Sequence, residues 1–391
     1  MTSSRPLRIV SLNFAYYPLY GGAENQSRLL AKTLNAFGHE ITVLTLRFAG
    51  TPEADNIDGI PIIRFPRRPF TRNKTTAALR AFAAAFVQLR RLRRQTDVVH
   101  LHGASFLLIP ALLIKKLYRI PVVLKMASSG AAIGDVHIVR NSKLSWLKLR
   151  LLRDVDRFIC LNEESAVEVK KLLPSARCLH IPNGVDCSYW SPAKSRIEHK
   201  TAMGLNEYKT AIYAGRVGVG KGVDFLLKVW KEVTCRIPKT KLFIVGDGPL
   251  LDDMRELASH LGISGQVEFV GYKQDIRTVL FAMDVFLLFS PNEGMSNALL
   301  EAMAAAVPVV CTNNSGNAMV VENMGNGLIV EAGQVPDAAE KVCQVLQQTE
   351  FAKALADRAR SDVRKRFDVS VVASQYEALF SGLCRHSASS F

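Results

Sequence analysis

Glu293 and Glu301 flank a change of pattern in FSPNEGMSNALLEAMAAAVP, residues 289–308, with seven residues between them. The apolar run at 285–289 reads as a strand, and a polar turn then opens onto a helical pattern. A helix start exposes unpaired backbone N–H groups and the positive end of the helix dipole. Gly294, Met295, Ser296 and Asn297 therefore suit a phosphate or a hydroxylated anion. A plainer reading needs no ligand: Glu301 is a first-turn acid, and Ser296 or Asn297 is an ordinary N-cap. The spacing disfavours a hydrolytic pair. Retaining glycosidases hold their carboxyls about 5 to 5.5 Å apart, whereas eight residues of helix rise about 12 Å.

A second stretch, GRVGVGKGVD at 215–224, sets Arg216 and Lys221 among glycines. From Gly215 to Lys221 it satisfies the GxxxxGK part of a P-loop, yet Gly222 stands where the magnesium-ligating Ser or Thr belongs, which argues against an NTPase. Small residues still let the backbone approach a diphosphate, and two cations can offset the charge of a leaving nucleotide. The bland alternative is a glycine turn with two surface cations.

The elements that must position these groups follow from periodicity. Apolar runs at 7–13, 41–46, 60–65, 98–101, 122–126 and 158–161 read as strands, separated by helical patterns such as 77–92 and the one carrying Leu29, Leu30, Leu34 and Phe37 after Gly21 and Gly22. Ile181-Pro182-Asn183-Gly184-Val185-Asp186 is turn chemistry, and the rhythm restarts with strands at 211–214, 241–245, 267–270, 284–289, 307–311 and 328–330. Alternating strands and helices imply two doubly wound parallel-sheet domains, whose ligands sit outside the carboxyl ends of the strands. The expected boundaries are 1–185 and 186–370, with 371–391 an amphipathic helix returning to the first domain.

The 391 residues suffice for two cores, since single cores stop growing near about 250 to 300 residues. The most apolar candidate span, 106–114, carries Pro110 and ends at Lys115 and Lys116, far short of the ~20 residues a membrane crossing needs. The start has no apolar stretch long enough for a signal peptide, so a cytoplasmic protein is expected, at most peripheral at the inner face of a membrane. Seven scattered cysteines form neither a disulfide framework nor a zinc site, which leaves reduced thiols and no metal centre as the expectation. Charge is uneven: residues 1–186 hold 28 Lys and Arg against 13 Asp and Glu, while residues 187–391 hold 22 of each. The excess gathers at 64–80, at Arg90, Arg91, Arg93 and Arg94, at Lys115 and Lys116, and at 143–153. Basic residues beside apolar ones suit an anionic membrane surface or substrate; the alternative is the solvated faces of ordinary helices. No nucleic-acid recognition motif is present.

Together these pieces resemble the family 4 retaining glycosyltransferases of the GT-B fold, two facing Rossmann-like domains with the active site in the cleft between them. The likeness covers nearly the whole chain in order: GGAENQSRLLAKTLNAFGHEITVLT, DVVHLHG, DRFICLNEES, IPNGVD, YAGRVGVGKGVD, FIVGDGP, VEFVGY and SPNEGMSNALLEAMAAAVPVV. The resemblance implies roles. Gly21 and Gly22 are similar to the glycine loop that closes toward the donor diphosphate and acceptor. His102 resembles the active-site histidine near the transferred sugar, with His100 its structural companion. Arg216 and Lys221, beside Gly215, resemble the pair that neutralises the departing diphosphate. Glu293 would bind sugar hydroxyls, Glu301 ribose hydroxyls, and the backbone of Gly294, Met295, Ser296 and Asn297 the sugar or phosphates. Residues 271–273 would border the base.

Two departures are visible. Where relatives carry Thr and often His, this chain has Lys125 and Met126 followed by Ala127, Ser128, Ser129 and Gly130; Lys125 could bind an acceptor phosphate or pair with a nearby acid. In SGNAMVVENMGNG, Ala318 and Met319 replace a common Pro-Glu. The resulting expectation is a metal-independent, cofactor-free retaining glycosyltransferase. It would move a sugar from a nucleotide diphosphate donor, a UDP-sugar foremost, to a saccharide or lipid-linked acceptor in polysaccharide or glycolipid synthesis. A GT-B epimerase, a phosphorylase and a noncatalytic nucleotide-binding partner are the alternatives.

Overall fold

The computed structural model describes residues 5–19, 21–71, 75–126 and 145–388. The chain forms two compact units, one of Met1–Gly184 with Val369–Phe391, the other of Val185–Asp368. Tyr20, Arg72, Lys74 and Lys143, and Ala127, Ser128, Ser129 and Gly130 after β6, lie outside the described residues.

The first unit is built on β1 (Arg8–Asn13), β2 (Glu40–Leu46), β3 (Ala54–Ile57), β4 (Ile60–Phe65), β5 (Val98–His102), β6 (Val122–Lys125), β7 (Arg157–Cys160) and β8 (Cys178–His180), in the sheet order β3-β4-β2-β1-β5-β6-β7-β8. Among the described residues only β3 and β4 pair antiparallel. Helices cover both faces, so the inner strands are near-continuous apolar runs. Alternate residues serve opposite faces: Val10 and Leu12 join the core under the helices Thr75–Leu92 and Leu108–Tyr118, while Leu7 and Ile9 join the core under Gly22–Ala36. The chain's last helix, Val369–Ala388, enters that second core through Val372, Ala373, Tyr376 and Phe380, a spacing that keeps them on one helical face.

The second unit carries β9 (Lys209–Ala214), β10 (Thr240–Val245), β11 (Val267–Gly271), β12 (Val285–Leu288), β13 (Val309–Thr312) and β14 (Leu328–Val330), ordered β11-β10-β9-β12-β13-β14 and all parallel. In each unit the strand order reverses beside the first strand, between β1 and β5 and between β9 and β12. Loops leaving two such strands diverge to opposite faces and open a crevice at the sheet's carboxyl edge. That topology selects the ends of β1, β5, β9 and β12 from all the strand ends available.

The IPNGVD stretch is more than a turn, because the chain leaves the first unit there and re-enters beside it. Gln26 brackets Gly184, donating from Nε2 to its carbonyl at 2.8 Å and accepting its N–H on Oε1 at 3.0 Å. A Cβ on Gly184 would stand 3.0 Å from the Cα of Val369. In the second unit Val185 donates its N–H to the Phe367 carbonyl at 2.9 Å and bridges to Asp368.

The returning helix supplies part of that core's apolar area through Val372, Ala373, Tyr376 and Phe380. Phe380→Ala, at a fully buried position, is expected to destabilise the first unit by about 3 to 5 kcal/mol. Urea unfolding should show that loss, while Phe37→Ala, at a position 40% exposed, should shift the midpoint little.

Candidate active site

In the second unit, the loop after β9 is shaped by backbone lying on backbone. Gly222 has φ +65°, and a Cβ there would collide with the carbonyl of Phe289 at the end of β12. This explains the missing P-loop hydroxyl: any side chain at 222 would drive the two loops apart. Gly246 and Gly248, after β10, have φ of +145° and +159°, and their added Cβ atoms would strike the carbonyls of Gly215 and Val217. Buried Tyr213 donates its hydroxyl to the Arg216 carbonyl at 3.0 Å, and the Arg216 side chain folds over Gly218, Nε lying 3.5 Å from where a Cβ would stand. Gly271 ends β11 with φ +74° and accepts the Gly246 N–H at 2.9 Å, with Tyr272 half exposed beyond it.

The loop after β12 is fastened from below. The Ser290 carbonyl accepts from Thr312 Oγ1 at 2.5 Å and from Asn314 Nδ2 at 3.0 Å. Gly316, in the short helix Ser315–Ala318, presses so closely on Glu293 and Gly294 that a Cβ would meet the Glu293 carbonyl. These supports were invisible to sequence reasoning, which attended to Ala318 and Met319 instead; a glycine among small polar residues directly after a strand was the available signal.

Lys221 and Glu293, read as separate ligand groups, meet directly: Nζ lies 2.8 Å from Oε1. The pair ties the glycine loop to the acidic loop. The helix Asn297–Ala304 begins after an N-cap at Ser296, whose Oγ accepts the Leu299 N–H at 3.3 Å. Two expectations need correcting here. Glu293 is not helical, so the 12 Å helical rise does not measure the separation of the carboxylates. Glu301 is the fifth helical residue, beyond the first turn where the dipole rewards an acid. Its carboxyl has no hydrogen bond or ion pair among the described residues, and burial pushes its pKa up to about 7.

In the first unit, His102 ends β5 and Lys125 ends β6 as cross-strand neighbours. His102 Nε2 lies 3.4 Å from Ser27 Oγ, on the helix that Gly21 and Gly22 begin. Ser27 continues through Ser11 at 3.4 Å to Asn13, whose Nδ2 donates to Ser11 Oγ at 3.0 Å. His100 lies between His102, ring centroids 4.1 Å apart, and Tyr376 at 5.2 Å, the two ring pairs tilted by 48° and 49°. Burial, and then the charge of Lys125, holds the His100 pKa down to about 3. Burial acts first on His102 too, with His100 and Lys125 adding to it, so both imidazoles are neutral near pH 7. Gly21 caps the helix Gly22–Ala36 in extended backbone, and Glu24 curls its carboxyl over it. Lys125 meets no acid among the described residues: Nζ donates to Asn183 Oδ1 at 2.9 Å, within the IPNGVD stretch.

The basic surface is smaller than the charge count implied. Arg64 is buried against Asp55 and the Tyr17 carbonyl, and Lys115 and Lys116 pair with Asp156 and Asp154. Arg67, Arg68, Arg80, Arg90, Arg91, Arg93 and Arg94 have no ion pair among the described residues. Among those residues no three His, Cys, Asp or Glu side chains gather as a metal site, and no helix is long and apolar enough to cross a membrane.

Two doubly wound units with polar loops at their switch points define a two-domain α/β enzyme of the GT-B type. The family profile described as Glycosyltransferase Family 4 matches residues 20–189, and that described as Glycosyl transferases group 1 matches residues 195–362. The chain belongs to the family 4 glycosyltransferases. It is 27% identical over 358 residues to a subunit of the phosphatidylinositol N-acetylglucosaminyltransferase of Arabidopsis thaliana, covering 88% of this chain and 76% of that protein. It is 25% identical over 382 residues to N-acetyl-alpha-D-glucosaminyl L-malate synthase of Bacillus anthracis, covering 96% and 98%. Among solved structures, Anabaena HepE in complex with UDP and glucose superposes with a TM-score of 0.75 at 20% identity, covering 96% of this chain and 100% of that one.

Because the fold holds the Glu301 carboxyl protonated up to about pH 7 while the unfolded chain ionises it near 4.5, its cost to stability grows as pH rises between those values. Glu301→Gln is therefore expected to stabilise the protein by about 1 to 3 kcal/mol at pH 8 and by little at pH 4.5. Urea melts of both proteins at the two pH values measure the difference.

Proposed function

We propose that this glycosyltransferase moves a sugar from a UDP-sugar to a saccharide or lipid-linked saccharide, with retention of configuration and no required metal. The observation that carries the reading is the Lys221–Glu293 pair, which joins a glycine loop bearing Arg216 to an acidic loop running into Glu301. On this reading the pair opens around the donor. Lys221 and Arg216 take the diphosphate, Glu293 takes sugar hydroxyls, and Glu301 accepts from the ribose diol, exchanging a costly half-buried carboxyl for hydrogen bonds. Backbone N–H groups of Gly294, Met295, Ser296 and Asn297 face the sugar or phosphates, Gly21 and Gly22 close on the donor, and residues 271–273 border the base. Neutral His102 lies beside the transferred sugar and acceptor. The sugar–phosphate bond breaks, the acceptor oxygen bonds to the same face of the anomeric carbon, and the acceptor proton passes to the leaving phosphate.

UDP in the HepE complex supports a uridine donor, and the phosphatidylinositol-directed relative supports an acceptor presented on lipid. Arginines without ion pairs among the described residues, beside exposed Leu79 and Val87 on the helix Thr75–Leu92, support peripheral contact with an anionic cytoplasmic membrane face.

Glu293→Ala, Arg216→Ala and Lys221→Ala are each expected to lower turnover by about 100-fold or more while the protein stays folded. The assay is acceptor-dependent UDP release with chelator present, and the product's anomeric configuration is read by NMR. Full activity in all three variants, loss of activity to chelator with rescue by magnesium, or an inverted product would each overturn its part of the reading. Binding to anionic vesicles should weaken as salt rises and when Arg90, Arg91, Arg93 and Arg94 are neutralised. Salt-insensitive or absent binding would remove the membrane contact alone.

A further inference from the structure

Lys125 is a cation 4% exposed with no carboxylate paired to it among the described residues, and its side-chain hydrogen bond runs to a neutral amide. Removing an ammonium from water costs several kcal/mol unless an opposite charge offsets it, so structural lysines in such places normally face an acid. Lys200 in the second unit shows the ordinary solution, meeting Asp284 at 2.6 Å and the Tyr208 carbonyl at 2.7 Å. Among the described residues nothing comparable reaches Lys125.

Two neighbouring polar atoms lack hydrogen-bond partners. Tyr376 lies with its ring 5.9 Å from the Lys125 ammonium, and its hydroxyl makes no hydrogen bond. His100, whose ring stands 5.2 Å from that of Tyr376, leaves Nε2 unsatisfied. A buried unpaired donor costs about 1 to 3 kcal/mol, so three mismatched groups in one cluster mark a place built for something absent. All three groups are able to donate, and a ligand answering them must accept. The cluster adjoins the carboxyl ends of β5 and β6, with His102 directly across from Lys125, the edge of a parallel sheet where ligands enter.

We propose that the end of β6 is a subsite for an oxyanion carried by the acceptor, a phosphate or carboxylate received by Lys125 with support from Tyr376 and His100. The assignment rests on the reading of the first unit as the acceptor side, and it narrows the acceptor to an acidic sugar or sugar phosphate. Burial already draws the Lys125 pKa down to about 8, which keeps the group largely charged at pH 7 yet poised to gain from a partner. The anion replaces the missing acid, so affinity at this subsite comes from relieving a cost already present in the free protein.

The test uses thermal unfolding of the full chain with UDP present to occupy the donor loops. Glucose 6-phosphate, glucuronate and glucose are titrated against wild type, Lys125→Gln and Tyr376→Phe. One or both of the anionic sugars should raise the melting temperature of wild type at concentrations where glucose does not, and the effective one names the oxyanion. Lys125→Gln should weaken that binding by at least about tenfold while protection by UDP alone persists. Tyr376→Phe should weaken it several-fold without lowering the melting temperature of the ligand-free protein, which decides the matter if Lys125→Gln does not fold. Equal protection by the three sugars, none at all included, or an anion preference that survives the substitutions overturns the subsite. Failure of UDP to protect wild type counts separately, against the donor reading.

Discussion

The second unit's site depends on chain segments packed with no side chain between them. Gly222 against Phe289, Gly246 against Gly215, Gly248 against Val217 and Gly316 against Glu293 are four contacts in which one backbone touches another's carbonyl. Such contacts leave no room for a methyl group, so each loop's position is fixed by its neighbour's peptide plane and not by adjustable rotamers. Peptide groups held in this way cannot swing to correct a small positional error. The hydrogen bonds beneath, from Thr312 and Asn314 to the Ser290 carbonyl, fix the same loop in the remaining direction.

Charge is distributed on a different principle from packing. Arg64, Lys115 and Lys200 are matched by aspartates and serve the fold. Glu301 and Lys125 are not matched among the described residues, although each is largely withdrawn from water, and each carries a pKa displaced toward its neutral form by burial. A protein under selection for stability alone would lose such groups. The unmatched acid lies in one unit and the unmatched base in the other, and displaced pKa values of this kind gather at functional sites more often than elsewhere.

The doubly wound architecture was legible because strands buried on both faces must be apolar throughout, and helices between them must be apolar on one side. The edge strands β3, sequence ADNI, and β8, sequence CLH, escaped for the converse reason: half exposed, short and polar, they carry no run to detect. Gly222 was legible as a departure from the P-loop, but its cause lies in Phe289, far along the chain. Lys125 with Asn183, and Lys221 with Glu293, are tertiary meetings that no local pattern encodes. The charge count misled at Arg64, Lys115 and Lys116 because composition sums charges without showing which are already neutralised.

The discontinuity of the first unit has a consequence for the order in which the molecule assembles. A ribosome releases β1 to β8 first, but the core of Leu7, Ile9, Leu30 and Leu34 stays only partly covered until Tyr376 and Phe380 emerge. Val185–Asp368, being continuous, holds every residue of its own core by then. The half of the protein that is synthesised first is therefore completed last, and its exposed apolar face must be kept from other chains throughout the making of the second half.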